Sequence, residues 1–156
     1  MAGLQAWFNS GSLTFVRWLL RLTDSIGLNA DEDLVWRKVS DIQNLPTFSP
    51  AVQAVRSVST DPGGNSRAEV DLVHGGQGRL DVFINYIDRT VVVYYVSGPF
   101  TGTQRITVRA GVLEMTWDVR FVSIHRLGER WDEQRLRDGT KLVLQKLASA
   151  RDVLGA

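Results

Sequence analysis

Apolar and polar residues alternate through most of the middle of the chain, from about residue 52 to residue 121. A period of two is typical of strands that bury one face and expose the other. Turn-forming clusters at 61–65, 74–78 and 98–99 interrupt the alternation, so the pattern predicts an antiparallel meander of short strands. The predicted strands are 52–60, 67–72, 79–86, 91–96, 103–110 and 113–121.

The segment before this meander is predicted to contain one long strand and a helix. Residues 16–28 alternate as a strand does, although a helical reading of the first part of the segment fits almost as well. A helix is predicted to follow, capped by Asn29 or Asp31. Pro46 and Pro50 are expected to end that helical region, because proline removes a backbone donor.

The last part of the chain changes to a spacing of three and four residues between apolar positions, which predicts an amphipathic helix. The apolar positions are Leu136, Gly139, Val143, Leu147, Ala150 and Leu154, and Trp131 is assigned to the start of the same helix. A glycine inside a helix costs about 1 kcal/mol relative to alanine, so we expect a close packing contact or a bend at Gly139. This helix is available to cover the apolar face of the sheet, and a ligand is expected between the two.

Composition narrows the function. The 156 residues suit a single domain with a sizeable core, so 1–156 is predicted to be one domain. Eighteen basic and seventeen acidic residues give a net charge of +1, which argues against a nucleic-acid partner. Cysteine is absent, His74 and His125 lie far apart, and the glycine-rich turns join strands, so neither a metal site nor a cofactor is predicted.

No segment has the features of a signal peptide or a transmembrane helix. The apolar stretch 13–22 is interrupted by Arg17 and Arg21 and is shorter than the ~20 residues that a membrane helix needs. A cytoplasmic location is therefore expected, with a transient membrane contact left open.

Several motifs make the chain similar to a known superfamily. Residues 34–36 (LVW) and 40–50 (SDIQNLPTFSP) look like its V-W…D…L-P-x-W-x-P pattern, with Phe48 where tryptophan is common. Further matches are 98–102, 114–119 and 136–141. On these residues the chain resembles the START-like or SRPBCC superfamily, which includes polyketide cyclases and aromatases, birch-pollen-allergen-type proteins and coenzyme-Q-binding proteins.

The resemblance covers roughly residues 13–153 and leaves residues 1–12 as an N-terminal extension. It implies an α+β helix-grip fold. In that fold a curved antiparallel sheet of about seven strands wraps around a long C-terminal helix, with short helices after the first strand.

The predicted inward face of the sheet is almost wholly apolar, and Tyr86 and Tyr94 are its obvious polar groups. Together with the resemblance, this face predicts a site for an apolar small molecule such as a lipid, a quinone or a polyketide-like aromatic. The predicted ligand-binding residues are Phe48, Val82, Ile84, Tyr86, Tyr94, Phe100, Ile106, Met115, Trp117, Val119, Phe121, Trp131, Leu136 and Val143. A plain hydrophobic core accounts equally well for Trp36, Trp117, Phe121 and Trp131.

An enzyme is the alternative. A hydrolase or cyclase would place a nucleophile, or an acid and base pair, on the inward face, and the sequence shows none there. His125 and Tyr86 are the weak candidates for a proton shuttle in a cyclase or dehydratase, the activity that the resemblance to polyketide cyclases implies. The absence of an acid–base pair favours binding over catalysis.

The strand at 91–96 is apolar on both faces, and Phe83 lies on the otherwise polar face of its neighbour. One face of that strand is expected to form an exposed apolar patch. The patch is built on Val91, Val93 and Tyr95, or on the alternate set Val92, Tyr94 and Val96. We expect a second copy of the chain, in a homodimer, to cover it, or else the N-terminal segment with Trp7 and Phe8.

Overall fold

The computed structural model describes residues 4–7, 15–73, 76–124 and 133–149, which form one antiparallel sheet and a small set of helices. The strands are β1 (Leu4–Trp7), β2 (Phe15–Gly27), β3 (Val52–Thr60), β4 (Ser66–Leu72), β5 (Gln77–Asn85), β6 (Thr90–Tyr95), β7 (Phe100–Arg109) and β8 (Val112–Ile124). The helices are α1 (Glu32–Val39), a 3₁₀ helix (Ile42–Asn44), α2 (Leu45–Phe48) and α3 (Glu133–Ala148).

The sheet has the strand order β1-β2-β8-β7-β6-β5-β4-β3 and confirms the predicted meander from β3 to β8. Residues 15–27 form a strand rather than a helix, because all thirteen pair in unbroken register with β8. All seven predicted strands are present. An eighth, β1, lies within the predicted N-terminal extension and pairs antiparallel with β2. Its four residues are too few for an alternation to be recognised.

The helices between β2 and β3 are fastened to the turns at one end of the sheet. Asp31 caps α1, because its carboxylate accepts a hydrogen bond from the backbone N–H of Asp33 at 3.0 Å. The carboxylate of Glu32 accepts from the backbone N–H of Gly111 at 2.9 Å, and Arg89 forms an ion pair with Asp33. These contacts hold α1 against the hairpin turns that follow β5 and β7.

One proline does not act as predicted. Pro46 lies in the first turn of α2 instead of ending the helical region. The first turn of a helix does not use the backbone N–H that proline lacks, so proline is well tolerated there. Pro50 follows the end of α2, as predicted.

The core lies between the inward face of the sheet and α3, as expected for a helix-grip fold. The buried side of α3 consists of Leu136, Thr140, Val143, Leu144, Leu147 and Ala148. The close contact predicted at Gly139 is confirmed, because a Cβ atom there would lie 2.6 Å from the Cβ of Pro50. The helix therefore packs on Pro50 more closely than any side chain would allow. Trp131, Ala150 and Leu154 lie outside the described residues.

The exposed face of β6 is the one predicted by the alternate set of Val92, Tyr94 and Val96. Val91, Val93 and Tyr95 are buried, whereas Tyr94 and Val96 are exposed on the outer face. The ring of Tyr94 packs edge-on against Phe83 at a centroid distance of 5.3 Å, and these two side chains are 44% and 41% exposed. An outer apolar patch of Phe83, Tyr94 and Val96 is therefore present.

What covers this patch stays a prediction. Phe8 lies outside the described residues, and for Trp7 only the placement in β1 is described. Light scattering at high micromolar concentration tests the predicted homodimer. A monomer there would contradict it.

Candidate functional site

A cluster of four aromatic side chains occupies the interior beneath α3. The Tyr95 ring lies 4.9 Å from that of Phe100 and 5.7 Å from that of Trp117, measured between centroids. Phe121 continues the cluster at 5.5 Å from Phe100. All four are at most 3% exposed. The structure thus brings three predicted site residues together around Tyr95, which the sequence analysis did not assign to the site.

A chain of hydrogen bonds crosses this interior. The Tyr95 hydroxyl donates to Oε1 of Gln104 at 2.7 Å and lies 2.5 Å from Oγ of Ser49. Because the single phenolic proton points to Gln104, the Ser49 hydroxyl is the donor in the second bond. Nε2 of Gln104 donates to the carbonyl of Phe48 at 3.1 Å and lies 3.3 Å from Sδ of Met115. We call Ser49, Tyr95 and Gln104 the polar triad.

A second polar contact ties the sheet to α3. Nε1 of Trp117 donates to Oγ1 of Thr140 at 3.0 Å, and the Thr140 hydroxyl donates to the carbonyl of Leu136 at 2.7 Å. Thr140 is fully buried. A buried indole N–H needs such an acceptor, so this bond fixes how α3 sits on β8.

Among the residues whose burial the structure describes, Tyr95 is the buried ionisable side chain, since every such Asp, Glu, Lys and Arg keeps some exposure. Burial raises the pKa of its phenol well above the usual value of 10.0, and the hydrogen bond from Ser49 lowers it by a smaller amount. The phenol therefore stays protonated at neutral pH. It acts as a neutral hydrogen-bonding group and not as a base.

Most of the predicted ligand-binding residues belong to the packed core. Within the described part of the chain, those at most 1% exposed are Phe48, Val82, Phe100, Ile106, Met115, Trp117, Val119, Phe121 and Leu136. Val143 is 9% exposed, and Ile84 is partly buried against the core. His74, His125 and Trp131 lie outside the described residues. The part that these residues take in binding a ligand stays a prediction.

Two residues do not face the interior as predicted. Tyr94 lies on the outer face of β6, because a strand that is apolar on both sides carries no alternation to show which side faces inward. Tyr86 lies beyond the end of β5, in a turn, where it is 67% exposed and meets Trp36 edge-on at 5.9 Å. The inward placement of both tyrosines is wrong.

Four buried polar residues of this interior were not predicted from the sequence: Ser49, Tyr95, Gln104 and Thr140. A usable signal existed for two of them, because Gln104 stands in phase with the apolar positions of its strand and Thr140 lies four residues after Leu136 on the apolar side of its helix. A polar residue in an apolar phase indicates a buried hydrogen-bonding group. Ser49, at the C-cap of α2, has no such pattern.

Open space lies beside this interior, in a groove of about 510 Å³ between α2 and α3. Its apolar lining is Pro46, Pro50, Val73, Leu142, Val143 and Leu147. Its polar lining is Lys38, Asn44, Thr47, Ser49 and Lys146. Ser49 thus belongs both to the groove and to the polar triad. Among the predicted ligand-binding residues that the structure describes, Val143 is the one that lines this α2–α3 groove.

Within the part of the chain that the structure describes, no three His, Cys, Asp or Glu side chains are grouped so that they could hold a metal ion. The described helices include none long and apolar enough to cross a bilayer.

The fold is shared with several solved structures. Ginseng major latex-like protein 151 from Panax ginseng has a TM-score of 0.57 and 14% identity, over 84% of this chain and 96% of that one. The Zhui aromatase/cyclase from Streptomyces sp. R1128 has a TM-score of 0.56 and 14% identity, over 88% of this chain and 99% of that one. A START superfamily protein from Mycobacterium smegmatis has a TM-score of 0.50 and 16% identity, over 81% and 92%.

Sequence comparison identifies the family. No curated protein sequence matches the chain. Residues 28–145, which are more than half of the chain, match the family described as polyketide cyclase/dehydrase and lipid transport. The chain therefore belongs to this polyketide cyclase/dehydrase and lipid-transport family, and with it to the START-like (SRPBCC) superfamily.

Proposed function

We propose that the protein binds or carries an apolar small molecule, such as a lipid, a quinone or a polyketide-like aromatic, at the α2–α3 groove. The family includes lipid transport. The volume of the groove, about 510 Å³, lies in the range of roughly 300–1,000 Å³ that small-molecule sites occupy. Its apolar lining is contiguous with the hydrophobic core, because Val143 and Leu147 belong to both.

The observation that carries this proposal is the position of Ser49, where the groove meets the interior. Ser49 lines the groove, and its hydroxyl bonds to Tyr95 beneath it. If the apolar body of the ligand lies along Val143 and Leu147, a hydroxyl or carbonyl group of the ligand lies next to Ser49 of the polar triad. Sites of this kind combine an apolar wall with a few well-placed polar groups.

A cyclase or dehydratase is the second candidate, and the family description favours it. Ring closure needs a proton acceptor as well as a donor. Within the described interior, the ionisable group is Tyr95, which burial keeps neutral. Binding without catalysis therefore agrees better with the chemistry of the described interior, and activity loss in His125→Ala would be the finding that favours the enzyme.

The test is direct binding to purified protein. Thermal unfolding is measured with palmitate, decylubiquinone and an anthraquinone, alongside native mass spectrometry of protein isolated from its host. A ligand that binds the folded state alone at 100 times its Kd stabilises that state by about 2.7 kcal/mol, so a clear rise in Tm is expected. A reproducibly empty protein that no member of the panel stabilises would contradict the proposal.

Two matched variants locate the site. Leu142→Trp fills the groove and is expected to abolish the Tm shift, because Leu142 is an exposed part of its lining. Gln145→Trp places the same ring on the same helix outside the groove and is expected to keep the shift. Equal shifts in both variants would place the ligand elsewhere.

A further inference from the structure

The α2–α3 groove carries an unusual concentration of lysine. The chain has three lysines, and two of them, Lys38 and Lys146, line this groove. They come from different elements, since Lys38 lies in the last turn of α1 and Lys146 in the last turn of α3. No Asp or Glu belongs to its described lining. The groove therefore has a positive rim on a chain whose net charge is only +1.

Neither lysine is neutralised within the described residues. The ion pairs there all use arginine, as in Arg56 with Asp71 at 2.6 Å and Arg67 with Asp81 at 2.9 Å. A cation in the last turn of a helix gains some stability from the helix dipole. That stability explains a lysine at each helix end, but not why both lysines border one apolar groove without a carboxylate.

The other polar groups of the groove take part in hydrogen bonds within the protein. The Asn44 amide donates to the carbonyl of Lys38 at 3.1 Å, and the Thr47 hydroxyl donates to the carbonyl of Asn44 at 2.6 Å. The Ser49 hydroxyl is bonded to Tyr95. Lys38 and Lys146 are the charged residues of the described lining, so they are the ones that can bind a charged part of a ligand.

We propose that the ligand is an amphipathic acid, with a carboxylate bound between Lys38 and Lys146 and an apolar body along Leu142, Val143 and Leu147. This inference rests on the proposed function and names the chemical class of its ligand. The described lining has no arginine, so the anionic group is bound by the point charges of two ammonium groups and not by a bidentate guanidinium pair.

The test compares two probes of equal chain length, decanoate and 1-decanol, by calorimetric titration at low ionic strength. Decanoate is expected to bind more tightly than 1-decanol. Lys38→Gln and Lys146→Gln should each weaken decanoate roughly two- to fivefold, the range for exposed ion pairs, and leave 1-decanol unchanged. The double variant should lose most of the preference for the acid.

Lys141→Gln is the matched control, since Lys141 is exposed on α3 outside the groove. It should bind decanoate as the unaltered protein does. Raising the salt concentration should weaken decanoate but not 1-decanol, because salt screens exposed charges.

The outcomes separate this inference from the function on which it rests. Equal binding of decanoate and 1-decanol, or a loss of affinity in Lys141→Gln as large as in the groove variants, would overturn the inference and leave apolar binding intact. Tighter binding of decyl phosphate than of decanoate would overturn the choice of a carboxylate. Failure of both decyl probes and of the whole thermal panel would overturn the proposed function itself.

Discussion

The interior beneath α3 and the groove beside it share a border but differ in how their polar groups are used. In the interior, Ser49, Tyr95 and Gln104 bond to one another, and Trp117 bonds to Thr140. In the groove, the ammonium groups of two lysines form no ion pair with the described residues, and Leu142 is 57% exposed. The interior is built for stability, whereas the groove keeps charge and apolar surface available.

The comparison also shows why a correct fold prediction did not locate the open space. The inward residues of β5 to β8 and the buried side of α3 belong to one hydrophobic core, in which almost no side chain is exposed. The groove lies where α2 and α3 meet at Pro50. Gly139 of α3 packs closely against this proline. Substitutions in the interior should therefore change the free energy of unfolding, whereas substitutions in the groove should change ligand affinity.

The largest effect is expected from Trp117→Ala. The substitution removes a fully buried ring that contacts Tyr95 and Phe100, together with the hydrogen bond to Thr140. We expect a loss of about 3–5 kcal/mol in the free energy of unfolding, measured by urea titration followed by circular dichroism. Glu114→Ala, on the outer face of the same strand, should change it by less than about 0.5 kcal/mol. Similar losses in both variants would mean that the interior is not the better packed region.

Gly139→Ala is expected to cost about 2 kcal/mol, although alanine favours a helix. The new Cβ would lie 2.6 Å from the Cβ of Pro50, and overpacking of this kind costs about 1–3 kcal/mol. Pro50→Gly removes the clashing atom, so the cost of Gly139→Ala should fall in that background. An unchanged cost in the double variant would show that the contact with Pro50 is not its cause.

Tyr95→Phe and Tyr94→Phe form a matched pair on adjacent residues with opposite facing. Removing the Tyr95 hydroxyl leaves Oε1 of Gln104 without its donor and the Ser49 hydroxyl without its acceptor, which should cost about 1–2 kcal/mol. Tyr94 is exposed, so its variant should differ from the unaltered protein by less than about 0.5 kcal/mol. Urea titrations of the two single variants decide this, and equal losses would contradict the assigned facing of β6.

Alkaline pH should destabilise the protein through the buried phenol of Tyr95. The pKa of Tyr95 is raised in the folded protein, so its contribution is fully present below the unfolded value of 10.0 and is lost as the pH rises toward the folded pKa. Above pH 10, the free energy of unfolding should fall by about 1.4 kcal/mol more per pH unit than in Tyr95→Phe. Parallel pH curves for the two proteins would show that the phenol is not protected from ionisation.

Leu142→Ala should have the smallest effect on stability, below about 0.5 kcal/mol, because the side chain is exposed. Its effect should appear in binding, where the lost apolar contact weakens decanoate about fivefold. Leu19→Ala, which truncates an exposed leucine of β2 outside the groove, should leave binding unchanged. If both leucine variants bind as the unaltered protein does, the apolar lining of the groove has no part in the site.

Local periodicity determined most of the architecture. The strands from β2 to β8 other than β6 follow from a period of two, and β6 follows from an apolar run between turns. The helix α3 follows from its spacing of three and four, because each such pattern places one apolar side against a core whatever the partner is. The close contact at Gly139 could also be predicted, since a glycine in a helix has a cost that packing must offset.

Tertiary structure decided the rest. Whether Tyr94 or Tyr95 faces inward depends on the register of β6 with β5 and β7, because both faces of the strand are apolar. The α2–α3 groove joins residues from α1 to α3, so no local pattern contains it. The two lysines that border it are separated by more than a hundred residues in the chain, and the packing of α3 in the folded protein brings them to one site.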